Sequence, residues 1–224
     1  MDFRAGDWSL SLETQDLVLD NPSFTVRHVW LGLSPSDPDY DAHEAETEGS
    51  DPVWGDAWRF ERNSTSLVSF YLEIPEQNVP TAPEIVRKGA ARLVALDTSG
   101  TPPHTSSRHF DRGILTCGQL ETPEKVDGFE VAPDFSILLH NGEFWGWEFA
   151  AAIDQSDANF ETDCALVAKY YELVSEDTLD DLDDRGILLR ERLLQLRTEA
   201  LNSGGETASM VADHISKVIE NFYG

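Results

Sequence analysis

From residue 8 onward the chain switches between apolar and polar side chains in short bursts. "WSLSLE" (8–13) alternates strictly, and "SFTVRHVWLGL" (23–33) mixes β-branched with aromatic residues. "AWRFER", "SLVSFYLEI", "ARLVALD" and "FDRGILTC" follow, separated by clusters of Pro, Gly, Asn, Asp and Ser. Period-two runs between turn formers predict many short strands over residues 1–155, and so an antiparallel β-sandwich or a barrel-like domain. Two stretches rich in breakers interrupt them, a long acidic loop at 34–56 and a second loop at 97–111.

After Asp154 the period changes. In "ANFETDCALVAKYYELV" (158–174) Phe160, Cys164, Val167 and Val174 recur at helical spacing, and an acidic linker, "SEDTLDDLDD", follows. "RGILLRERLLQLRTEAL" (185–201) puts Leu189, Leu193, Leu196 and Ala200 on one helix face; "NSGG" stops it, and a last helix aligns Val211, Ile215, Val218 and Phe222. The expected architecture is α+β: a β-rich domain over 1–155 and a helical segment over 156–224 that ends in a helical hairpin. Two apolar stripes of this kind face each other or a partner. Arg190, Leu193, Arg197, Val211, Ile215, Val218 and Phe222 are therefore the candidate interaction residues. No fixed-period repeat is present, which argues against a solenoid.

Composition narrows the setting. Of 224 residues 42 are acidic and 16 basic, a net charge of −26, and only four are lysine. Self-repulsion of that size opposes a compact state at low salt and largely disappears at molar salt, where the Debye length is about 3 Å. Acid spread along the chain with lysine depleted resembles the cytosolic proteins of salt-in halophiles. A basic surface for phosphates is missing, so nucleic acid is a poor partner. No apolar run approaches the roughly 20 residues of a membrane span, and "MDFRAGDWSL" lacks the layout of a signal peptide. The expected location is cytoplasmic, or the virion of a virus assembled inside the cell. Cys117 and Cys164 then read as reduced thiols.

The candidate chemistry centres on "APDFSILLHNGEFWGWEFAAAID" (132–154), a hairpin signal built around Asn141-Gly142. With a two-residue turn His140 pairs with Glu143, and Asp134 lies opposite Phe149. With a three-residue loop, Asp134 instead pairs with Glu148, and Phe135, Ile137, Leu139, Trp145 and Trp147 share a face. That sorting of apolar residues favours the second register. It sets two carboxylates opposite each other, and magnesium would relieve the repulsion.

Pro133-Asp134 followed on the next strand by Glu148 resembles the metal-binding edge of the PD-(D/E)xK nuclease superfamily over about 40 residues. The resemblance implies a magnesium-dependent nuclease fold with Asp134 and Glu148 as metal ligands. Ala150 stands where that pattern has its lysine, which implies a degenerate site, with Lys169 as the one substitute nearby in sequence. Gly6-Asp7-Trp8 is similar to the Gly-x-Trp that opens lipocalin-type barrels, a tripeptide too short to assign a family.

Asp37, Asp39, Asp41 and Glu48 match part of a calcium-loop spacing, but Ala42 replaces its glycine. His104, His109 and Asp111 share one loop region without a spacing that would hold a metal. Three readings remain. The favoured one is a non-catalytic, structural protein that binds a partner or itself and needs no cofactor. The others are the nuclease-like enzyme and an acidic inhibitor or immunity protein that blocks a basic site.

Overall fold

A computed structural model describes residues 1–14, 23–27, 30–34, 47–49, 57–150, 153, 156, 158–174 and 182–223, with only the backbone path given for 23–49, 182–186 and 221–223. The chain is mixed α+β. Six strands close a barrel: β1 (Asp2–Ala5), β2 (Trp8–Thr14), β8 (Glu84–Asp97), β11 (Lys125–Ala132), β12 (Phe135–His140) and β13 (Glu143–Phe149). The ring closes where Arg4 of β1 pairs in parallel with Glu143 of β13. Two more strands, β10 (Ile114–Gly118) and β9 (Ser107–Asp111), extend the sheet from the far half of β13. A second sheet has the order β3 (Ser23–Arg27), β4 (Trp30–Ser34), β7 (Leu67–Glu73), β6 (Ala57–Glu61), β5 (Thr47–Gly49). The stretch read as one run at 23–33 is thus an antiparallel hairpin of two strands.

Most pairings are antiparallel, but β8 and β11 run parallel. β8 serves both neighbours by dividing its length, pairing with β11 up to Ala90 and with β2 from Ala91. Gly89 sits at the crossover with φ +97, a conformation that side chains with a Cβ rarely adopt. β11 has no clean apolar alternation because Gly128 must be bare: a Cβ there would meet Ile85 Cγ2 at 2.6 Å.

The tripeptide Gly6-Asp7-Trp8 ties the barrel to its neighbouring loop. Gly6 turns the chain at φ +61, Trp8 donates Nε1–H to the Gly100 carbonyl at 3.3 Å, and Asp7 Oδ2 accepts the Thr101 amide at 2.9 Å. That amide bond holds the Asp7 carboxyl below its usual pKa.

A single apolar core runs through both sheets into the helices. Trp58, Phe60, Phe70 and Leu72 of the second sheet meet Trp8, Phe135 and Trp147 of the barrel. The Phe70 and Phe135 rings lie 4.4 Å apart, and Trp8 and Phe60 meet edge-on at 6.2 Å. The same cluster continues into α1 (Phe160–Leu173), α2 (Leu182–Ser203) and α3 (Glu206–Tyr223). Glu161 and Asp163 occupy the first turn of α1, where carboxylates suit the helix dipole.

The last turn of α1 has no basic residue of its own. Arg108, buried on β9, supplies the cation. Its Nε donates to Asn78 Oδ1 at 2.8 Å, its Nη2 donates to the Tyr171 carbonyl at 2.9 Å and to that of Val174, and its guanidinium lies 4.2 Å from the Tyr171 ring centre. Asn78 also donates to the Tyr171 carbonyl at 2.7 Å, so helix, edge strand and connector are bonded at one point.

Two outcomes follow. Gly146 faces Gly118 across β13 and β10, and a Cβ on Gly146 would sit 2.0 Å from the Cys117 carbonyl oxygen, which is backbone and cannot step aside. Gly146→Ala should cost about 1–3 kcal/mol, read as a lower urea midpoint with the slope unchanged; an unshifted midpoint would contradict the close approach. Burial pushes Tyr170 up to about 12 and raises Tyr171 as well, against the opposing pull of Arg108. Their folded-state values exceed the unfolded one of 10.0, so this stability is intact below pH 10 and is lost as pH rises through the folded values. In an ultraviolet absorbance titration these two of the five tyrosines should ionise only as the circular dichroism of the fold collapses; all five ionising with the fold intact would contradict it.

Candidate functional site

The β12–β13 hairpin adopts neither of the registers expected from its sequence. Asn141 and Gly142 have φ +53 and +81, so the turn has two residues and His140 pairs with Glu143. The register then shifts between Leu138 and Leu139, and beyond it Ile137 pairs with Trp147, Ser136 with Glu148 and Phe135 with Phe149. The irregularity reassigns the tryptophans. Trp147 joins Phe135, Ile137 and Leu139 in the core, while Trp145 packs on the opposite face with Leu138 and Val126. There the Trp145 ring lies over bare Gly118, and its Nε1–H reaches the Glu121 carbonyl at 3.0 Å.

Asp134 and Glu148 are therefore not cross-strand partners, unlike in the register favoured from the sequence. Asp134 is the second residue of the tight Pro133-Asp134 turn between β11 and β12, exposed, at φ +60. Its carbonyl accepts the amide of Ala150 at 2.7 Å. The Pro-Asp dipeptide read as a metal-binding edge is a turn signal.

Glu148 lies elsewhere, in a transverse row on the outer face of the sheet. Adjacent strands place Glu130, Ser136, Glu148, Thr116 and His109 directly opposite one another. Glu148 is nearly inaccessible there, and Arg87 reaches across from β8 to neutralise it. The guanidinium bonds the carboxylate and donates to Ser136 Oγ at 3.2 Å; the Arg87 side chain is 54% exposed and that of Glu148 5%. The guanidinium thus supplies the counter-charge for Glu148 within the sheet. His109, at the end of the row, has Nδ1 3.1 Å from the Val79 carbonyl.

The other candidates are dispersed. Lys169 Nζ meets Glu199 Oε1 at 2.5 Å, which engages it with α2. Among the described residues no group of three or more His, Cys, Asp or Glu side chains converges to hold a metal ion. Cys117 and Cys164 are both buried free thiols, and burial, then Glu161 and Asp163, pushes the Cys164 thiol up, away from a reactive thiolate. Asp37, Asp39 and Asp41 lie outside the described residues, and Glu48 is described only as backbone in β5. The same holds for most of the acidic stretches 37–56 and 172–184.

The two C-terminal stripes face each other. Leu189, Leu193, Leu196 and Ala200 of α2, with Val211 and Ile215 of α3, are buried in the core, and Val218 packs against it. Leu193, Val211 and Ile215 are buried within the single chain, on the stripes that face each other. The Phe222 side chain lies outside the described residues. Arg197 is half-buried, its Nε donating to Ser216 Oγ at 2.7 Å, and Arg190 is exposed. The accessible apolar surface of α2 is on its other side: Ile187 is 77% exposed, Leu188 64% and Leu201 56%. Ile187, Leu194 and Leu201 recur every seven residues, a spacing masked in the sequence by the stronger buried stripe. A groove of about 280 Å³ between α1 and α2 is lined by Lys169, Glu172, Arg192 and Glu199 among others.

Arg87→Ala leaves Glu148 buried without its cation, and should cost about 1–2 kcal/mol after allowing for solvent around the arginine. Glu148→Gln added to it should recover part of that loss in a double-mutant cycle by chemical denaturation. Simple additivity would show that the pair is not coupled. Comparison with family models, with curated proteins and with solved structures finds no match to this chain.

Proposed function

We propose that the protein works without catalysis, as an interaction or assembly component that docks through the outer face of α2. The observation that carries this reading is the exposure of Ile187, Leu188 and Leu201 on one well-formed helix whose opposite side is fully used by the core. Isolated exposed leucines are ordinary; several on one helix of an otherwise highly charged chain mark a contact surface. The row around Glu148 supports the same reading. Its buried carboxylate is already compensated by Arg87, so the arrangement serves the sheet and leaves little for a substrate to engage.

The charge complements this role. A net −26 suits a salt-rich cytosol, where screening lets acidic copies approach. No helix among the described residues is long and apolar enough to cross a membrane. In molar KCl the chain should run as a species heavier than its own 25.0 kDa, and its urea midpoint should rise from low to molar salt. Analytical ultracentrifugation and denaturation check both; a 25.0 kDa species at every salt and protein concentration would overturn the assembly role.

A further inference from the structure

We propose that Asn141 is a site of spontaneous covalent modification: its carboxamide is lost to water, and the resulting isoaspartyl link loosens the barrel at the seam where it closes. Asn141 is the one asparagine of the chain that glycine follows. In the turn between β12 and β13 both residues are exposed, and nothing lies within 4 Å of the position a Cβ on Gly142 would take. Glycine brings no side chain to crowd its own nitrogen, and no neighbour fills the space. Asn141 Nδ2 meets the exposed His140 Nε2 at 2.9 Å, a contact open to water, so the carboxamide is not locked by a buried partner.

The reaction needs only the turn and water. The backbone nitrogen of Gly142 attacks Cγ of Asn141. The bond from Cγ to Nδ2 breaks, and ammonia leaves with the proton that the Gly142 amide gives up. Water then opens the cyclic imide. Addition at Cγ restores the ordinary chain with an aspartate in it. Addition at the backbone carbonyl carbon leaves Gly142 joined through the side chain, which lengthens the main chain by a methylene.

The two products differ in what they do to the fold. A two-residue hairpin turn accepts Asp-Gly as well as Asn-Gly, and a further carboxylate at an exposed tip adds little to a net charge of −26. A longer main chain is a different matter, because turn length sets hairpin register. Glu143, the residue after Gly142, pairs with His140 across the turn and with Arg4 of β1, the pairing that closes the six-stranded ring. The isoaspartyl link therefore falls directly before the seam.

Incubation of the full chain in mildly alkaline buffer containing molar KCl tests this. Proteolysis after Glu130 and Glu143 releases residues 131–143, and mass spectrometry with isoaspartate-specific fragmentation reads the product. Asn141 should convert several-fold faster than Asn63, Asn78, Asn159 or Asn202, mostly to isoaspartate, and the urea midpoint should fall in step. Asn141→Gly keeps the left-handed turn without a carboxamide, so its midpoint should hold through the same incubation. Freshly prepared Asn141→Asp carries the charge without the lengthened chain and should match the parent. Asn141 converting no faster than the other asparagines overturns the site. Conversion without a fall in midpoint, a fall shared by Asn141→Gly, or one reproduced by fresh Asn141→Asp overturns the loosening of the seam.

Discussion

Arg108 sits in the interior with its guanidinium between the edge of β9 and the last turn of α1, and this contact ties the first helix to the sheet. Free carbonyls end every helix, and a buried helix end needs a donor. α1 carries no basic residue in its last turn, so the sheet provides one. Burial lowers the pKa of the guanidinium without threatening its charge, because arginine starts far above neutral pH. Tyr171 offers the face of its ring and its carbonyl to the same group, and Asn78 bonds both partners. With α1 held in this way, α2 and α3 close over it and spend their main apolar stripes on the common core. What remains for the outside is the reverse side of α2.

Much of this was legible in the pattern of the chain. The change from period two to period 3.6 near residue 155 separates strands from helices, and Leu189, Leu193, Leu196 and Ala200 are buried as their spacing implies. Glycine-dependent strands were not legible. β11 reads as "KVDGFEVA", and its strand form rests on the ladders with β8 and β12 on either side. Long-range pairing was hidden for the same reason: nothing local in "EIVRKGAARLVALD" shows that one strand serves β11 with its first half and β2 with its second.

The candidate site shows where such reading stops. Asn141-Gly142 forms the two-residue turn its sequence favours, but a register shift two residues into β12 moves Glu148 opposite Ser136. A slip of one residue exchanges the faces of a strand, and without this one Glu148 would lie opposite Phe135. Arg87 comes from a strand some sixty residues earlier, a partner no spacing rule would find. On α2 the weaker seven-residue repeat was overshadowed by the stronger stripe beside it, and only the packing shows which of the two is left accessible.

The central claim is that Ile187, Leu188 and Leu201 are exposed in the single chain and covered in the working protein. Hydroxyl-radical footprinting reports the accessibility of these side chains directly. In molar salt their oxidation should fall as protein concentration rises while that of Leu96 and Leu120 holds steady. Oxidation that stays constant along α2, or that falls at Leu120 instead, would contradict the account.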